Sequence, residues 1–446
     1  MRFFLPQGLW YHKDFLKFWT GETISAFGSQ VTAFALPMAA VLTLHATAIQ
    51  MGVLSFLAFA PMLFLSLFAG VVVDRFPRRP VLIITSLGQT VSIGAIPFMA
   101  FLHLLRLEYL YGIALFSGCL TVFFEIAYQA YLPSLIEQEH LLEGNGKLET
   151  SHAFAQISGP GLAGLIVQWL TAPFAMLIDA CSFLIAALFL CKIRKPELRK
   201  EHHQTEQGVF KEIGEGLKAV FHHRVLWSIA VCNGTINLFN SALMSIAVLY
   251  VVRDLKIEPI IYGFVLSLGS VGALVGSFLA KRIADRFGVG PTIIGSALFY
   301  GIGGLLLPLA SVSMMVTIPF LMLSWFVQSL TLIVFNITQV SFRQGLLPGH
   351  LQGRLNASMR FLICSSLPIG SLLGGAAGEA IGLLSTVMLS SLGMFFAFLW
   401  VLFSPVSSLR RQPALKSNDQ PAISYKQRNN SDERWKNSAT PQRGNV

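Results

Sequence analysis

Glu125 is the only charged residue between Phe116 and Ile136, in a stretch of the chain that is otherwise mostly apolar. A carboxyl group in apolar surroundings costs free energy when it is ionised, so such groups mark ligand sites or steps of proton transfer. We therefore predict that Glu125 takes up and releases a proton. The alternative is a carboxyl that is hydrogen-bonded to a neighbouring helix and serves the structure alone.

Glu22 is the second candidate for proton transfer. It lies near the start of the first apolar stretch, so it could also lie at the level of the lipid headgroups. We expect Asp179 to be structural, and we expect Glu149 and Glu379 to lie near water at the ends of apolar stretches. Neither the five cysteines nor the two histidine pairs has the spacing of a metal site, and we predict no metal and no cofactor.

The sequence around Glu125 returns 211 residues later, where Asn336 takes the place of the acid. Further pairs keep this offset: Asp74-Arg75-Phe76 with Asp285-Arg286-Phe287, Asn145 with Asn356, Gly159 with Gly370, and Gly164 with Gly375. A constant offset across separated regions predicts two copies of one unit, of which only the first carries the acid. Below, the residue 211 positions away is called the counterpart.

The composition is that of a membrane protein, with 54% hydrophobic and 12% charged residues. Twelve apolar stretches are long enough to cross the roughly 30 Å of a bilayer's hydrocarbon as helices. They start near residues 18, 48, 80, 106, 148, 172, 225, 260, 290, 313, 353 and 382. The sequence therefore predicts an all-α membrane protein with twelve transmembrane helices in two pseudo-symmetric six-helix halves.

The net charge of +10 reflects membrane topology and does not indicate a nucleic-acid partner, because the basic residues concentrate on one side of the predicted bundle. The opposite side carries only Arg106, Arg253 and Lys256. By the positive-inside rule both termini are cytoplasmic. The chain divides into a first half at 1–192, a linker at 193–224 with a short amphipathic helix around 208–221, a second half at 225–405, and a disordered tail at 406–446.

The loop between the second and third spans resembles the signature loop of the major facilitator superfamily. Its matching residues are Gly70, Asp74, Arg75, Arg78 and Arg79, with Pro77 where the general pattern has glycine. Asp285 and Arg286 begin a degraded second copy, which keeps the turn glycine. The resemblance implies the twelve-helix fold and a loop that closes the cytoplasmic side against span 11, near Gly353-Arg354. The alternative is a solvated basic turn that only sets topology.

A second motif, in span 5, resembles the signature of proton-linked exporters in that superfamily. It keeps Gly159, Pro160 and Gly164, while Ala155 and Ala163 replace two glycines. Small residues at helical spacing allow close helix contact. The segment 128–133, Tyr-Gln-Ala-Tyr-Leu-Pro, resembles the corresponding sequence in the branch of bacterial macrolide-efflux and siderophore-export proteins.

The resemblance also implies that spans 1, 4, 7 and 10 surround a central cavity. Polar or aromatic residues on these spans are expected to line it: Ser29, Thr121, Tyr128, Asn233, Asn237, Asn240, Trp325, Gln328 and Asn336. We expect Tyr128 and Trp325 to stack on cargo, and the alternative for both is ordinary packing.

These features together predict an exporter in the bacterial inner membrane, moving small amphipathic molecules outward by alternating access while protons enter. We expect a monomer and no enzymatic activity, since the chain has no GxxxxGK[ST] loop and no hydrolase motif in its proper context. A proton-coupled importer on the same fold is one alternative. An inactive transporter-like receptor or lipid-handling protein is another.

Overall fold

A computed structural model describes residues 9–195, 197, 218, 221, 223–311, 314–346, 359 and 361–408. Most of these residues are helical, and no β-strand occurs among them. The first half contains α1 (Lys13–Met38), α2 (Ala48–Arg75), α3 (Arg78–Phe101), α4 (Leu107–Leu135), α5 (Leu141–Leu170) and α6 (Ala172–Cys191). The second contains α7 (Arg224–Leu249), α8 (Pro259–Phe287), α9 (Val289–Leu309), α10 (Met314–Leu346), α11 (Ser366–Ile381) and α12 (Leu383–Phe396).

The twelve helices of the described residues agree with the predicted number of spans. By length and hydropathy alone, 11 helices of the described residues could each cross a membrane. The twelfth, α5, is 30 residues long but begins with turns that carry Glu143, Lys147 and Glu149, so its apolar part is shorter. Apart from Lys218 and Phe221, the predicted linker helix around 208–221 lies outside the described residues, as does the tail beyond 408.

The predicted repeat is visible in the backbone as well as in the sequence. The helices α1 and α7 both continue into a π-helical turn, at Ala39–Thr43 and at Tyr250–Asp254. A histidine caps the start of each: Nδ1 of His12 accepts a hydrogen bond from the Phe15 backbone N–H, and Nδ1 of His223 accepts one from Leu226. The structure thus confirms two pseudo-symmetric halves.

Helices pack in corresponding pairs within the two halves. In the first half α1 packs against α5 and α6, α2 against α4, and α3 against α4 and α6. In the second half α7 packs against α11 and α12, α8 against α10, and α9 against α10 and α12. This arrangement buries the small and apolar faces of the helices inside each half.

The halves meet mainly through α2 with α11 and α5 with α8. Glycines make both contacts close: a methyl group on Gly52 would lie 2.8 Å from Gly375 Cα, and one on Gly263 would lie 3.0 Å from Gly164 Cα. The two pairs correspond through the repeat, because Gly263 is the counterpart of Gly52 and Gly375 is the counterpart of Gly164. Both lie on the side of the bundle that holds the α1–α2 and α7–α8 connections, which we call the turn side. The opposite side, which holds the ends of α6 and α12, is called the termini side.

Hydrogen bonds between the halves also lie on the turn side. Among the described residues three cross the interface: Gly161 N–H donates to Ser267 Oγ (2.7 Å), Arg253 to the Ala46 carbonyl (3.3 Å), and Ile49 N–H to Glu379 Oε2 (3.4 Å). The bundle is therefore held shut at this side.

Candidate functional site

Glu22 is a buried acid of the first half, with 4% of its surface exposed. Because α1 begins at Lys13 and not near residue 18, Glu22 lies more than two turns inside the helix. Its carboxyl lies within electrostatic range of Tyr128 on α4. No hydrogen bond or ion pair of Glu22 is found among the residues that the structure describes. A carboxyl in this position must be ionised at a large cost or carry its proton.

Tyr128 lies in a group of aromatic rings between α1 and α4. Its ring is 5.6 Å from that of Phe18 and 6.0 Å from that of Phe124, measured between centroids. Its hydroxyl lies 3.5 Å from Nε2 of His152, on α5. We call Glu22, Tyr128 and His152 the acid cluster. The sequence prediction missed His152, because a lone histidine gives no signal until the register of α5 against α4 is known.

Glu125 is half-buried and lines a different space. A cavity of about 230 Å³ lies among α1, α2, α3 and α4, and Glu125 shares its wall with Thr32, Ser117 and Thr121. Gln89 of α3 fixes the polar wall by donating to Thr121 Oγ1 at 2.9 Å. The structure therefore brings Glu125 and Thr121 together, as expected, but places Glu22 and Tyr128 in a separate cluster.

Ser29 faces α6, beside the carboxyl of Asp179. Asp179 is only 1% exposed and accepts a hydrogen bond from Ser182 Oγ at 3.1 Å. Gly28 leaves room for both side chains, since a methyl group there would lie 2.6 Å from Asp179 Oδ1. Asp179 thus helps to join α1 to α6.

Three predicted amides of the second half share one cavity. Asn233 and Asn237 on α7 and Asn336 on α10 line a space of about 500 Å³ toward the termini side. Two further polar residues of α10, Gln339 and Arg343, line the same space. We call these five residues the amide pocket. Arg343 is absent from the predicted site, because a basic residue at the end of an apolar stretch is typical of the cytoplasmic end of any transmembrane span.

The other predicted residues of the second half pack against α8 and α9. Asn240 accepts a hydrogen bond from Tyr300 Oη at 3.1 Å. Gln328 is buried and donates to Ser324 Oγ at 2.9 Å. Trp325 lies against Gly269. None of these three lines the amide pocket.

The basic residues of the signature loop contact their own half. Both oxygens of Glu197 accept hydrogen bonds from the start of α3, from the backbone N–H groups of Arg78 (2.9 Å) and Arg79 (3.1 Å). The Arg79 guanidinium donates to the carbonyls of Leu190 and Cys191, at the end of α6. These contacts satisfy N–H groups that a helix start leaves free, and they tie the linker to α3.

The remaining residues of the signature loop and of its second copy are those expected to help close the cytoplasmic side. Gly70 is half-buried and has open space beside it, while Arg75, Asp285 and Arg286 are exposed. The second copy turns at Gly288 with φ 91°, a conformation that favours glycine, whereas Pro77 has φ −58°. The expected partner of the loop, Gly353-Arg354, lies outside the described residues.

The span-5 motif forms the contact between the halves. Gly159 packs against Gln30 of α1, and the Pro160 carbonyl meets Gly263 of α8. A methyl group on Gly164 would lie 2.7 Å from the Pro259 carbonyl oxygen. The small residues of this motif therefore let α5 and α8 touch backbone to backbone on the turn side.

Comparison with known proteins agrees with this architecture. The chain is 26% identical over 378 residues to the multidrug efflux pump Tap of Mycobacterium tuberculosis, covering 82% of this chain and 87% of that protein. It is 23% identical over 228 residues to macrolide efflux protein A of Streptococcus pyogenes, covering 50% and 55%. These relatives fit the predicted resemblance to macrolide-efflux proteins.

The fold is also that of a solved transporter structure. A bacterial homologue of the iron transporter ferroportin, in its inward-facing state, aligns with a TM-score of 0.69 and 17% identity over 87% of this chain and 98% of that one. The family of transmembrane secretion effectors matches residues 10–432. This multi-pass membrane protein therefore belongs to the transmembrane secretion effector family of the major facilitator superfamily.

Proposed function

We propose that this transporter exports small amphipathic molecules in exchange for protons that move inward. The observation that carries the proposal is Glu22, a carboxyl that is 4% exposed inside a helical bundle and has no cationic partner among the described residues. The names of the relatives support the direction, since they are a multidrug efflux pump and a macrolide efflux protein.

In the proposed cycle the amide pocket takes up cargo from the termini side, which we place in the cytoplasm, while the glycine pairs keep the turn side shut. Rocking of the halves then opens the turn side and releases the cargo outward. Protons from outside reach the acid cluster in that state. On return to the first state the cluster meets cytoplasmic water, and Glu22 gives up its proton.

We assign the main proton-carrying role to Glu22 and a secondary role to Glu125. Glu22 is the more deeply buried of the two, so its charge state weighs more on the conformation of the bundle. Glu125 lines the 230 Å³ cavity, where it would meet cargo or water. We propose that the protein works as a monomer with both termini in the cytoplasm.

Transport in inside-out membrane vesicles tests the proposal. With an acidic lumen, the wild-type protein is expected to accumulate a fluorescent probe in the lumen, and probe addition is expected to release part of the pH gradient. Ethidium serves as the cationic probe and pyrenesulfonate as the anionic one, with protein-free vesicles as background. Glu22→Gln should reduce gradient-driven accumulation to background.

Glu139→Gln is the matched control, because Glu139 is an exposed glutamate outside the long helices. It should transport like the wild-type protein. Undiminished gradient-driven accumulation in Glu22→Gln would overturn the assigned role. An importer would show the opposite direction, because a luminal proton would carry cargo out of an inside-out vesicle.

A further inference from the structure

Arg343 is a buried cation whose charge the described protein does not balance. It is 8% exposed, and its Nε atom has no hydrogen-bond partner among the described residues. The nearest acidic residue along the chain is Glu379, which lies on the turn side and accepts a hydrogen bond from the Ile49 backbone. Asp285, at the same end of the neighbouring helix α8, is exposed, and no ion pair of Arg343 is found among the described residues. The sequence between 344 and 358 contains no aspartate or glutamate. A buried guanidinium without a counter-charge is costly, and it calls for an anion.

Two amide side chains in the wall of the amide pocket have N–H₂ groups that no hydrogen bond uses among the described residues. The Asn237 amide N–H₂ donates to Asn233 Oδ1 at 2.9 Å, and Gln339 Nε2 lies 3.5 Å from Asn336 Oδ1. The side-chain oxygens of Asn233 and Asn336 are thus used as acceptors inside the pocket, while their own N–H₂ groups are left as donors. Donors beside a guanidinium form a suitable environment for an oxyanion.

We propose that the amide pocket binds a carboxylate or phosphate group, with Arg343 as its charged contact and the amide N–H groups of Asn233 and Asn336 as further donors. The unpaired Gln339 Oε1 would accept a hydrogen bond from a neighbouring hydroxyl or amine of the same ligand. A cavity of about 500 Å³ has room for such a group and part of its apolar body. This assignment rests on the proposed function for the ligand's identity as cargo.

Binding to the purified full-length protein in nanodiscs tests this site without a proton gradient. Pyrenebutyrate and pyrenebutanol share one ring system and one chain, and differ in charge. With empty nanodiscs subtracted, the wild-type protein should bind the carboxylate at least about tenfold more tightly, as expected for a charge-assisted hydrogen bond. Arg343→Gln should remove this preference, and Arg343→Lys should keep part of it. Equal loss of both probes, or an unchanged preference, would overturn the proposal.

Stability provides a second measurement on the same variants. Without ligand, Arg343→Gln should melt at the same temperature as the wild-type protein or higher, because it removes an uncompensated buried charge. A clearly lower melting temperature would mean that Arg343 is paired within the protein, and would count against the site. Arg282→Gln, at an exposed position on α8 outside the loop motif, is the control and should change neither measurement.

Lipid composition separates the two sources of the anion. Arg343→Gln reports how much the anionic surface of phosphatidylglycerol nanodiscs repels the probe. If phosphatidylglycerol weakens pyrenebutyrate binding to the wild-type protein more than to Arg343→Gln, relative to phosphatidylcholine, the site accepts the anionic lipid headgroup; if both proteins are weakened equally, the site accepts an anion from solution. Either result supports an anion site. Because no transport is measured, anion binding can hold while proton coupling fails, and the reverse is equally observable.

Discussion

At the two glycine contacts of the turn side the halves contribute the same residue type at counterpart positions, since Gly52 meets Gly375 and Gly263 meets Gly164. Nearer the termini side their residue types differ. Glu125, the residues of the acid cluster and most residues of the amide pocket have counterparts of another kind in the other half: Glu22 and Asn233, Glu125 and Asn336, Tyr128 and Gln339, Leu132 and Arg343, His152 and Ile363. The same repeated fold therefore carries acidic and aromatic side chains in the first half, and amides and a cation in the second.

This difference indicates two separate demands on one repeat. Closing the turn side requires backbones to approach from both halves, which only small residues allow, so the repeat is preserved there. Under the proposed function the proton and the cargo bind at unlike sites, and the repeat is expected to be lost where each of them binds. We infer that the first half handles the proton and the second half handles the cargo.

Exchanging the residues of one counterpart pair should have the largest effect. Glu22→Asn gives the acid cluster the residue that the second half has, and gradient-driven accumulation in vesicles should fall to background because no buried carboxyl remains there. The double variant Glu22→Asn with Asn233→Glu restores a carboxyl in the other half, without Tyr128 and His152 around it. We expect the double variant to stay inactive.

Recovery of gradient-driven transport in the double variant would contradict the inference that the first half handles the proton and the second half handles the cargo. It would mean that any carboxyl at this level of the bundle suffices. Binding of pyrenebutyrate gives an internal check, because Glu22→Asn leaves the amide pocket untouched and should bind the probe as the wild-type protein does.

Adding one methyl group to either glycine pair should have the next largest effect. A methyl on Gly164 would lie 2.7 Å from the Pro259 carbonyl oxygen, and one on Gly52 would lie 2.7 Å from the Ser371 carbonyl oxygen. Such overpacking costs about 1–3 kcal/mol, so Gly164→Ala and Gly52→Ala should each lower transport by about tenfold. The measurement is the initial rate of probe accumulation in vesicles with equal amounts of protein.

The two variants should have similar effects, since the repeat relates the contacts. Gly234→Ala is the control: it lies within α7, where an added methyl would meet open space, and its rate should match the wild-type rate. A full rate for one of the two interface variants would show that the two contacts do not close together.

The sequence predicted the architecture well, because apolar length and a constant offset both report on helices directly. The family resemblance implies that Asn233, Asn237 and Asn336 line one cavity, because it assigns spans 7 and 10 to that cavity; spacing alone puts only Asn233 and Asn237 on one face of a helix. It could not rank Glu22 above Glu125, because burial depends on which neighbouring helix covers a face. The contact of Glu197 with the start of α3 could not be predicted either, because its partners are more than a hundred residues away in the chain.

The smallest effect concerns a turn that the two halves build from different residues. Thr171, between α5 and α6, has φ 68° and ψ 158°, whereas its counterpart Gly382 has φ 86° and ψ 161°. This region of backbone conformation strongly favours glycine, and a residue with a side chain pays roughly 1–3 kcal/mol there. Glycine also raises the entropy of the unfolded chain, by about 0.5–1 kcal/mol. Thr171→Gly should therefore stabilise the protein by about 1 kcal/mol.

The melting temperature of the detergent-solubilised protein measures this change, and Gly382→Thr should lower it. Thr47→Gly is the control, because Thr47 precedes α2 with φ −81°, where glycine relieves no strain, removes the threonine of a capping box and adds freedom to the unfolded chain. It should therefore melt lower than the wild-type protein. If Thr171→Gly also melts lower, contacts of the threonine side chain outweigh its backbone strain, and the α5–α6 turn is stabilised differently from its counterpart.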